Sequence, residues 1–335
     1  MNLDLIAIFI FVFGACVGSF LNVCIVRMPH EKSVVQPPSH CPNCKNPIRW
    51  HNNIPLISYL ILKGKCPDCG QSFSARYFWI ELLTACVFVG FYYYFGLTLL
   101  LVPYLFMASC FIVALMIDFA HRIIPDEISI GGMFFGLFFS ILIPQMHLLQ
   151  FSQLQLGRFL MWGCVALYFI ALFISMIFSK NEEKMEKEDY LIPIFIAVLA
   201  SIDGGIHYAM SQKLIADVNI AQHLLSLDAS ILGLLVGGGV IYMTGILGEW
   251  ILKKEAMGGG DVKLLAMIGA FLGWQYVILT FFVAPVFGAV FGIVELIRTK
   301  DNTIAYGPFL VLGALICLFF GDWIIAFILN GYQVP

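Results

Sequence analysis

Long apolar runs follow one another along almost the whole sequence, and most of them have the length of a membrane span. A helix needs about 20 predominantly apolar residues to cross a bilayer. Helix is the expected conformation because a backbone exposed to lipid has to satisfy its own hydrogen bonds. The sequence therefore predicts an all-α polytopic membrane protein with about 8–10 transmembrane helices. The predicted helices cover residues 3–26, 78–96, 98–117, 128–144, 157–178, 190–209, 229–252, 262–273, 275–297 and 307–329.

The composition excludes several other classes of protein. Charged residues make up 12% of the 335 residues, whereas a soluble domain carries about 25%. Aromatic residues make up 15% and no low-complexity repeat is visible, which argues against a disordered or fibrous chain. The net charge of -3 argues against nucleic acid as a partner. The chain is therefore expected to contact membrane lipid.

The basic residues predict the orientation of the chain in the membrane. If the N-terminus is outside and every predicted helix crosses, all 18 Lys and Arg residues except Arg158 and Lys213 fall inside. This distribution follows the positive-inside rule. It also supports the two least regular spans, 190–209 and the short 262–273, because removing either one would invert every later loop. The polar segment 27–76 is therefore expected in the cytosol.

Four of the ten cysteines form two Cys-x2-Cys pairs within this polar segment. The pairs read Cys-Pro-Asn-Cys-Lys and Cys-Pro-Asp-Cys-Gly, a spacing typical of a zinc ribbon with a closed, structural site. The alternative is two redox or unrelated pairs. The sequence favours one structural Zn²⁺ in a small cytosolic zinc-ribbon-like module, with the nearby His40 and His51 as ordinary loop residues. The predicted ligands are Cys41, Cys44, Cys66 and Cys69.

Two aspartates lie where apolar runs meet the predicted cytosolic face. Asp118 ends one run, and Asp261 follows the Gly-Gly-Gly sequence 258–260 and opens another. Charged residues in membrane segments are costly and often functional. Two carboxylates at the same depth can share a proton, so that one activates water while the other protonates the peptide oxygen. The alternatives are an N-cap for Asp261 and a flexible loop for the glycines, but the matching depth favours a catalytic pair.

Other polar residues near the predicted helices have several interpretations. Asp126 is predicted to cap a helix that starts at Glu127. Glu81 fits a structural pairing as well as a functional role, and Asp203 has no partner that the sequence identifies. The segment 18–23 contains small and amide residues that favour either close helix packing or a substrate groove.

These motifs resemble one family along most of the chain, the bacterial prepilin peptidases, or type IV leader peptidase/N-methyltransferases. The resemblance is carried by Gly18–Val23 with Arg27 and Pro29, Pro38–Cys44, Asn53–Ser58, Gly64–Cys69, Arg76-Tyr77 with Glu81, Asp118 with Ile124–Asp126, Met257–Leu264, Gly273-Trp274 and Gly307–Leu310.

The resemblance implies a GxGD aspartic endopeptidase of the bacterial inner membrane. Such an enzyme cuts type IV prepilins and type II secretion pseudopilins after a glycine at the cytosolic face, and it often methylates the new N-terminal amine with S-adenosylmethionine. Asp118 and Asp261 match the family's catalytic pair. Supporting residues of the same motif are Gly258, Gly259, Gly260 and Lys263. No glycine-rich strand-to-helix turn locates a binding site for S-adenosylmethionine.

The predicted domains are a first transmembrane helix at 1–26, the four-cysteine zinc-binding module at 27–76 and a membrane-embedded peptidase domain at 77–335. The interval from Asp126 to Asp261 is longer than the family usually has, which predicts an insertion at about 145–228. Two other functions remain open: a GxGD intramembrane protease of other substrates, and a proton- or metal-coupled transporter. Transporter sites usually lie near the bilayer midplane between repeated halves, and no internal repeat is visible.

Overall fold

The computed structural model describes residues 3–147, 154–178, 187–215, 217–252, 258–299 and 305–330. These residues are mainly helical, and among them the only extended pairing is two isolated bridges in the polar segment. The prediction of an all-α chain is confirmed. The chain divides into two compact units, Met1–Pro125 and Asp126–Pro335.

All ten predicted helices are present within the two units. The first unit contains α1 (Leu3–Arg27), the short α2 (Ile57–Ile61), α3 (Arg76–Phe95) and α4 (Leu101–His121). The second unit contains α5 (Asp126–Leu142), α6 (Leu154–Phe178), α7 (Lys187–Ser211), α8 (Val218–Leu252), α9 (Gly259–Leu272), α10 (Trp274–Thr299) and α11 (Gly307–Asn330).

Eight of these helices are long and apolar enough to cross a membrane. The irregular span predicted at 190–209 is among them, as Leu191–Ser211 of α7. Helix α9 is shorter, with 14 residues, which at 1.5 Å per residue is about 21 Å against a hydrocarbon core of about 30 Å. Its residues from Leu264 to Leu272 are all buried. The chain is therefore a multi-pass membrane protein with a short interior helix.

In the first unit, α1 and α3 pack closely because glycines face the neighbouring backbone. A Cβ atom on Gly18 would lie 2.8 Å from the Cα atom of Glu81. The buried Asn22 donates a hydrogen bond from its amide to the carbonyl of Tyr77 at 3.0 Å. Small residues and amides join membrane helices in this way. Of the two interpretations of segment 18–23, close packing is the one that Gly18 and Asn22 support.

In the second unit, α8 forms the scaffold for α9. A Cβ atom on Gly233 would lie 2.0 Å from the carbonyl oxygen of Gly269, so the two backbones are in direct contact. Ser230, three residues earlier on α8, donates a hydrogen bond to the carbonyl of Ala270 at 2.7 Å. Because a side chain at Gly233 or Gly269 would force these helices apart, their position depends on both glycines.

The start of α8 differs from the prediction. Helix was expected from residue 229, but α8 begins at Val218. The extra turns carry polar residues, among them His223, whose ring Nδ1 hydrogen-bonds the carbonyl of Ile141. Asp228, expected at the end of an external loop, is fully buried. Tertiary contacts therefore stabilise helix in a segment that hydropathy alone treats as a loop.

The charge distribution predicts that residues 180–190 are cytosolic and that residues 211–228 are periplasmic. Part of the first segment, residues 180–186, lies outside the described residues. A cysteine probe at Ser211 should react with a membrane-impermeant reagent added to intact cells, whereas a probe at Asn181 should react only after lysis. The parent chain, labelled in parallel, gives the background from the native cysteines. The reverse pattern would contradict the two crossings that α6 and α7 add.

Candidate active site and metal centre

The two Cys-x2-Cys pairs fold into two similar turns. In the first, the amide of Lys45 donates to the carbonyl of Cys41 at 2.9 Å; in the second, the amide of Gly70 donates to the carbonyl of Cys66 at 2.9 Å. Lys45 and Gly70 occupy the same position in the two turns and have φ values of 63° and 72°. This left-handed conformation costs Gly70 little, because glycine has no Cβ atom. Each turn directs two sulfur atoms to the same side.

The four cysteine sulfurs come together at one point. All lie within 4.8 Å of one another, with Sγ–Sγ distances of 3.8 Å for Cys41–Cys69 and 4.0 Å for Cys44–Cys66. A tetrahedron of Zn–S bonds of about 2.3 Å has sulfur separations of about 3.8 Å. The arrangement therefore has the size of a four-thiolate metal site. His40, by contrast, directs Nδ1 to the carbonyl of Pro38.

Local hydrogen bonds prepare at least one of these sulfurs for metal binding. The backbone amide of Gln71, followed by the side-chain amide of Asn43, lowers the pKa of the Cys69 thiol to about 6. A lowered pKa favours the thiolate, which is the form that binds metal. The module therefore supplies the geometry of a metal site, and its hydrogen bonds favour the thiolate form at Cys69.

Glu81 fixes the polar segment to the helices of the same unit. Glu81 of α3 is buried, and its carboxylate accepts a hydrogen bond from the backbone amide of Leu56 at 2.8 Å. Leu56 has a φ of 62° and immediately precedes α2. Strained backbone of this kind persists where its surroundings hold it. Glu81 thus has a structural role, one of the two interpretations that its sequence position allowed.

Asp118 lies inside α4, one turn before the helix ends at His121. It is 5% exposed, although its position at the end of an apolar run could equally have placed it in solvent. Arg122 follows in a left-handed conformation, and its amide donates to the carbonyl of Asp118. The aspartate is therefore held on a regular helix just before the chain turns.

Asp261 lies in the first turn of α9. The helix begins at Gly259 and its N-cap is Gly258, so the alternative of Asp261 as the N-cap is wrong. The carboxylate turns back towards Gly258, where an added Cβ would be 3.7 Å from its Oδ2 atom. The N-terminal end of a helix carries partial positive charge that stabilises an anion. Asp261 thus lies at the positive end of α9.

Tyr306, just before α11, is a neighbour of Asp261 that the sequence did not identify. Burial, and then the negative charge of Asp261, raise the pKa of the Tyr306 hydroxyl to about 12. This hydroxyl is buried without a hydrogen-bond partner among the described residues. Tyr306 immediately precedes the Gly307–Leu310 motif, and this adjacency is the sequence signal that could have identified it as a site residue.

Asp126 and Lys263 form an ion pair near the same end of α9. The Nζ atom of Lys263 lies 2.7 Å and 2.9 Å from the two carboxylate oxygens of Asp126. The helix predicted to start at Glu127 begins at Asp126 itself. The predicted supporting residue Lys263 therefore joins α5 to α9, two residues after Asp261.

This ion pair should contribute little to stability, because its side chains are 31% and 53% exposed. We expect a coupling energy of about 0.2–1 kcal/mol between Asp126→Asn and Lys263→Gln. Thermal unfolding of the two single variants and the double variant in detergent measures it. A coupling above about 2 kcal/mol would mean that the pair is desolvated and structurally essential.

A cavity of about 350 Å³ lies in the first unit beside α1. Arg27 lies at its edge and donates hydrogen bonds to the carbonyls of Ser33 at 3.0 Å and Pro37 at 2.7 Å. The lining includes Ser19 and Asn53 but no acidic side chain. Its volume falls within the range of small-molecule sites, yet it lacks a carboxylate to balance a positively charged ligand.

Two family models match separate parts of the chain. The bacterial peptidase A24 N-terminal domain matches residues 12–95, and the type IV leader peptidase family matches residues 189–293. The first match includes the four cysteines, and the second includes Asp261. Asp118 lies between them. No solved structure matches the chain.

Curated relatives align along nearly the whole chain, and each is named a prepilin leader peptidase/N-methyltransferase. One from Myxococcus xanthus is 30% identical over 88% of this chain, which spans 64% of that relative's length. One from Legionella pneumophila is 26% identical, covering 93% of this chain and 91% of the relative. One from Bacillus subtilis is 25% identical, with coverages of 95% and 96%. With both family models and these alignments in agreement, the chain belongs to the type IV leader peptidase family.

Proposed function

We propose that this protein is a membrane aspartic endopeptidase that cleaves the leader peptides of type IV prepilins and type II secretion pseudopilins. The observation that carries the proposal is the Gly-Gly-Gly-Asp261 turn at the start of a buried helix, within a segment that matches the type IV leader peptidase family. The relatives are named for this cleavage. Their names favour neither a protease of other membrane substrates nor a transporter.

Asp118 and Asp261 are the proposed catalytic pair, with complementary roles. Asp261, in the positive first turn of α9, is suited to remain ionised and to remove a proton from the attacking water. Asp118, buried near the negative C-terminal end of α4, is suited to carry the proton that goes to the peptide oxygen. Gly258, Gly259 and Gly260 support the site because a chain without side chains allows close approach of a substrate backbone.

We also propose that the enzyme methylates the new N-terminal amine, since N-methyltransferase is part of the relatives' names. S-Adenosylmethionine would supply the methyl group when bound. The cavity beside Arg27 fits this cofactor poorly, because its lining contains no carboxylate to balance the sulfonium and amino groups. No methyl-donor residues are therefore assigned.

The four-cysteine cluster is proposed to hold Zn²⁺ in a structural role. Four thiolates close the coordination shell, so that no position remains for a substrate or a water molecule. The metal would stabilise the fold of the polar segment, while peptide hydrolysis would depend on the aspartates alone.

We propose that both aspartates and the zinc module lie on the cytosolic side of the bacterial inner membrane, which the positive-inside distribution of Lys and Arg favours. We keep the proposed domains 1–26, 27–76 and 77–335, with an insertion at about 145–228 that contains α6 and α7. The family-model match begins at residue 189, inside this proposed insertion.

The decisive experiment incubates the purified full-length protein with a type IV prepilin and isotopically labelled S-adenosylmethionine. We expect product masses that correspond to cleavage after a glycine and to addition of one labelled methyl group. The Legionella pneumophila relative, assayed on the same prepilin, is the positive control. A prepilin that the control cleaves and this protein leaves intact would refute the peptidase, and cleavage without label would refute only the methyltransferase.

A further inference from the structure

Three charged side chains from α6, α7 and α8 meet inside the second unit. Arg158 donates a hydrogen bond from Nη2 to Asp228, and its Nε atom lies 3.6 Å from an oxygen of Asp203. The side chains of Asp203 and Asp228 are 1% and 0% exposed, and that of Arg158 is 13% exposed. We call these three residues the buried triad. The family's catalytic motif contains none of them.

The buried triad is not balanced in charge if both carboxyl groups are ionised. Two carboxylates would then face one guanidinium and leave a net charge of -1 in the interior of a membrane protein. Three carboxylate oxygens, both of Asp203 and Oδ1 of Asp228, are buried without a hydrogen-bond donor among the described residues. Burying such a charge is strongly unfavourable. The site therefore calls for one further positive charge.

We propose that the buried triad is a proton-binding site in which Asp203 and Asp228 share one proton. The two carboxyl groups are close enough to hydrogen-bond each other, so a proton between them satisfies two of the unpaired oxygens at once. A metal cation would need several more oxygen ligands, and it would be repelled by the guanidinium that already contacts both aspartates. The guanidinium also opposes a proton, but a proton needs only the two carboxylate oxygens as partners.

The other titratable groups nearby do not change this charge count. Arg158 and Asp203 are the charged groups that act on Asp228. His147, which packs against Ser226 at 3.1 Å, is fully buried, and burial lowers its pKa to about 4. Its ring is therefore neutral near pH 7. His207, one turn beyond Asp203, is exposed to the surroundings.

The buried triad joins the two helices of the proposed insertion to α8. Because α8 is in backbone contact with α9 at Gly233 and Gly269, the triad fixes α6 and α7 to the scaffold of α9. The proton makes this junction neutral. The shared proton depends only on the charges and contacts of the three side chains, and it does not depend on the proposed peptidase activity.

The test compares variants of the purified full-length protein in detergent near pH 7. Asn has the shape of a protonated Asp and can donate the same hydrogen bond, so Asp203→Asn and Asp228→Asn should each keep the unfolding midpoint close to that of the wild type. The double variant leaves Arg158 unbalanced and should lower the midpoint by roughly 10 °C. Adding Arg158→Met to the double variant should restore most of this loss.

Infrared spectroscopy provides a readout that does not depend on stability. The difference spectra of the wild type against Asp203→Asn and against Asp228→Asn should each contain the C=O stretch of a buried carboxylic acid. The contribution of Asp118, which is present in all three proteins, cancels in these differences. Exchange of sodium for choline at constant ionic strength should leave the wild-type midpoint unchanged. Absence of a carboxylic acid band from both difference spectra would overturn the shared proton. A sodium-dependent rise of the wild-type midpoint that Asp203→Asn abolishes would replace it with a metal-cation site.

Discussion

Replacement of either Asp118 or Asp261 by Asn is expected to abolish leader cleavage while the protein still inserts into the membrane. Neither carboxyl group alone can both activate water and protonate the peptide oxygen, so each variant should lose roughly 10³-fold or more in rate. Because the two residues are proposed to act as one unit, the double variant should be no worse than either single variant. Cleavage of a prepilin by purified protein, with membrane insertion checked separately, measures the loss.

Asp126→Asn is the matched control for this prediction. Asp126 is also an aspartate at the start of a helix, but its carboxylate pairs with Lys263 and is 53% exposed. Its loss removes helix-terminal and ion-pair contacts of about 0.5–2 kcal/mol, so cleavage should fall only slightly. Near-normal cleavage by Asp118→Asn or Asp261→Asn would eliminate the proposed pair.

Loss of one cysteine ligand is expected to remove the metal and unfold the polar module. Zinc binding contributes an apparent 10–16 kcal/mol in small zinc peptides, about the range expected here. The wild type should contain one zinc per chain, and Cys44→Ser should contain little. Elemental analysis and protease sensitivity of residues 27–76 measure these two effects. Cleavage by Cys44→Ser should fall through poor positioning of the substrate, but less completely than by Asp261→Asn.

Two controls separate the metal site from a general sensitivity to cysteine loss. Cys86→Ser changes an exposed cysteine on α3 outside the cluster, and it should retain zinc and activity. His40→Ala should also retain zinc, because His40 hydrogen-bonds the backbone instead. A wild-type protein without stoichiometric zinc would contradict the metal assignment. A folded Cys44→Ser protein as inactive as Asp261→Asn would contradict the purely structural role.

Asp126 illustrates how local sequence gives only part of a residue's role. Its position after Pro125 correctly placed it at the start of a helix, because helix-start signals involve neighbouring residues. Its partner Lys263 lies 137 residues further along the chain. No local pattern specifies a pairing over that distance. The same holds for Glu81, whose partner is a backbone amide of the polar segment.

Hydropathy was sufficient to predict the ten long apolar helices, apart from the first turns of α8, and cysteine spacing was sufficient to predict the cluster of four sulfurs. Lipid leaves an exposed backbone few alternatives to helix, and each Cys-x2-Cys pair is a local turn that directs its own two sulfurs. The buried triad had no such local signal. Asp203 looked like an unexplained charge in an apolar run. Arg158 looked like the external end of a predicted helix, and Asp228 like the end of an external loop. Their meeting depends on how α6, α7 and α8 pack, because a buried charge is tolerable only where folding brings its partner to it.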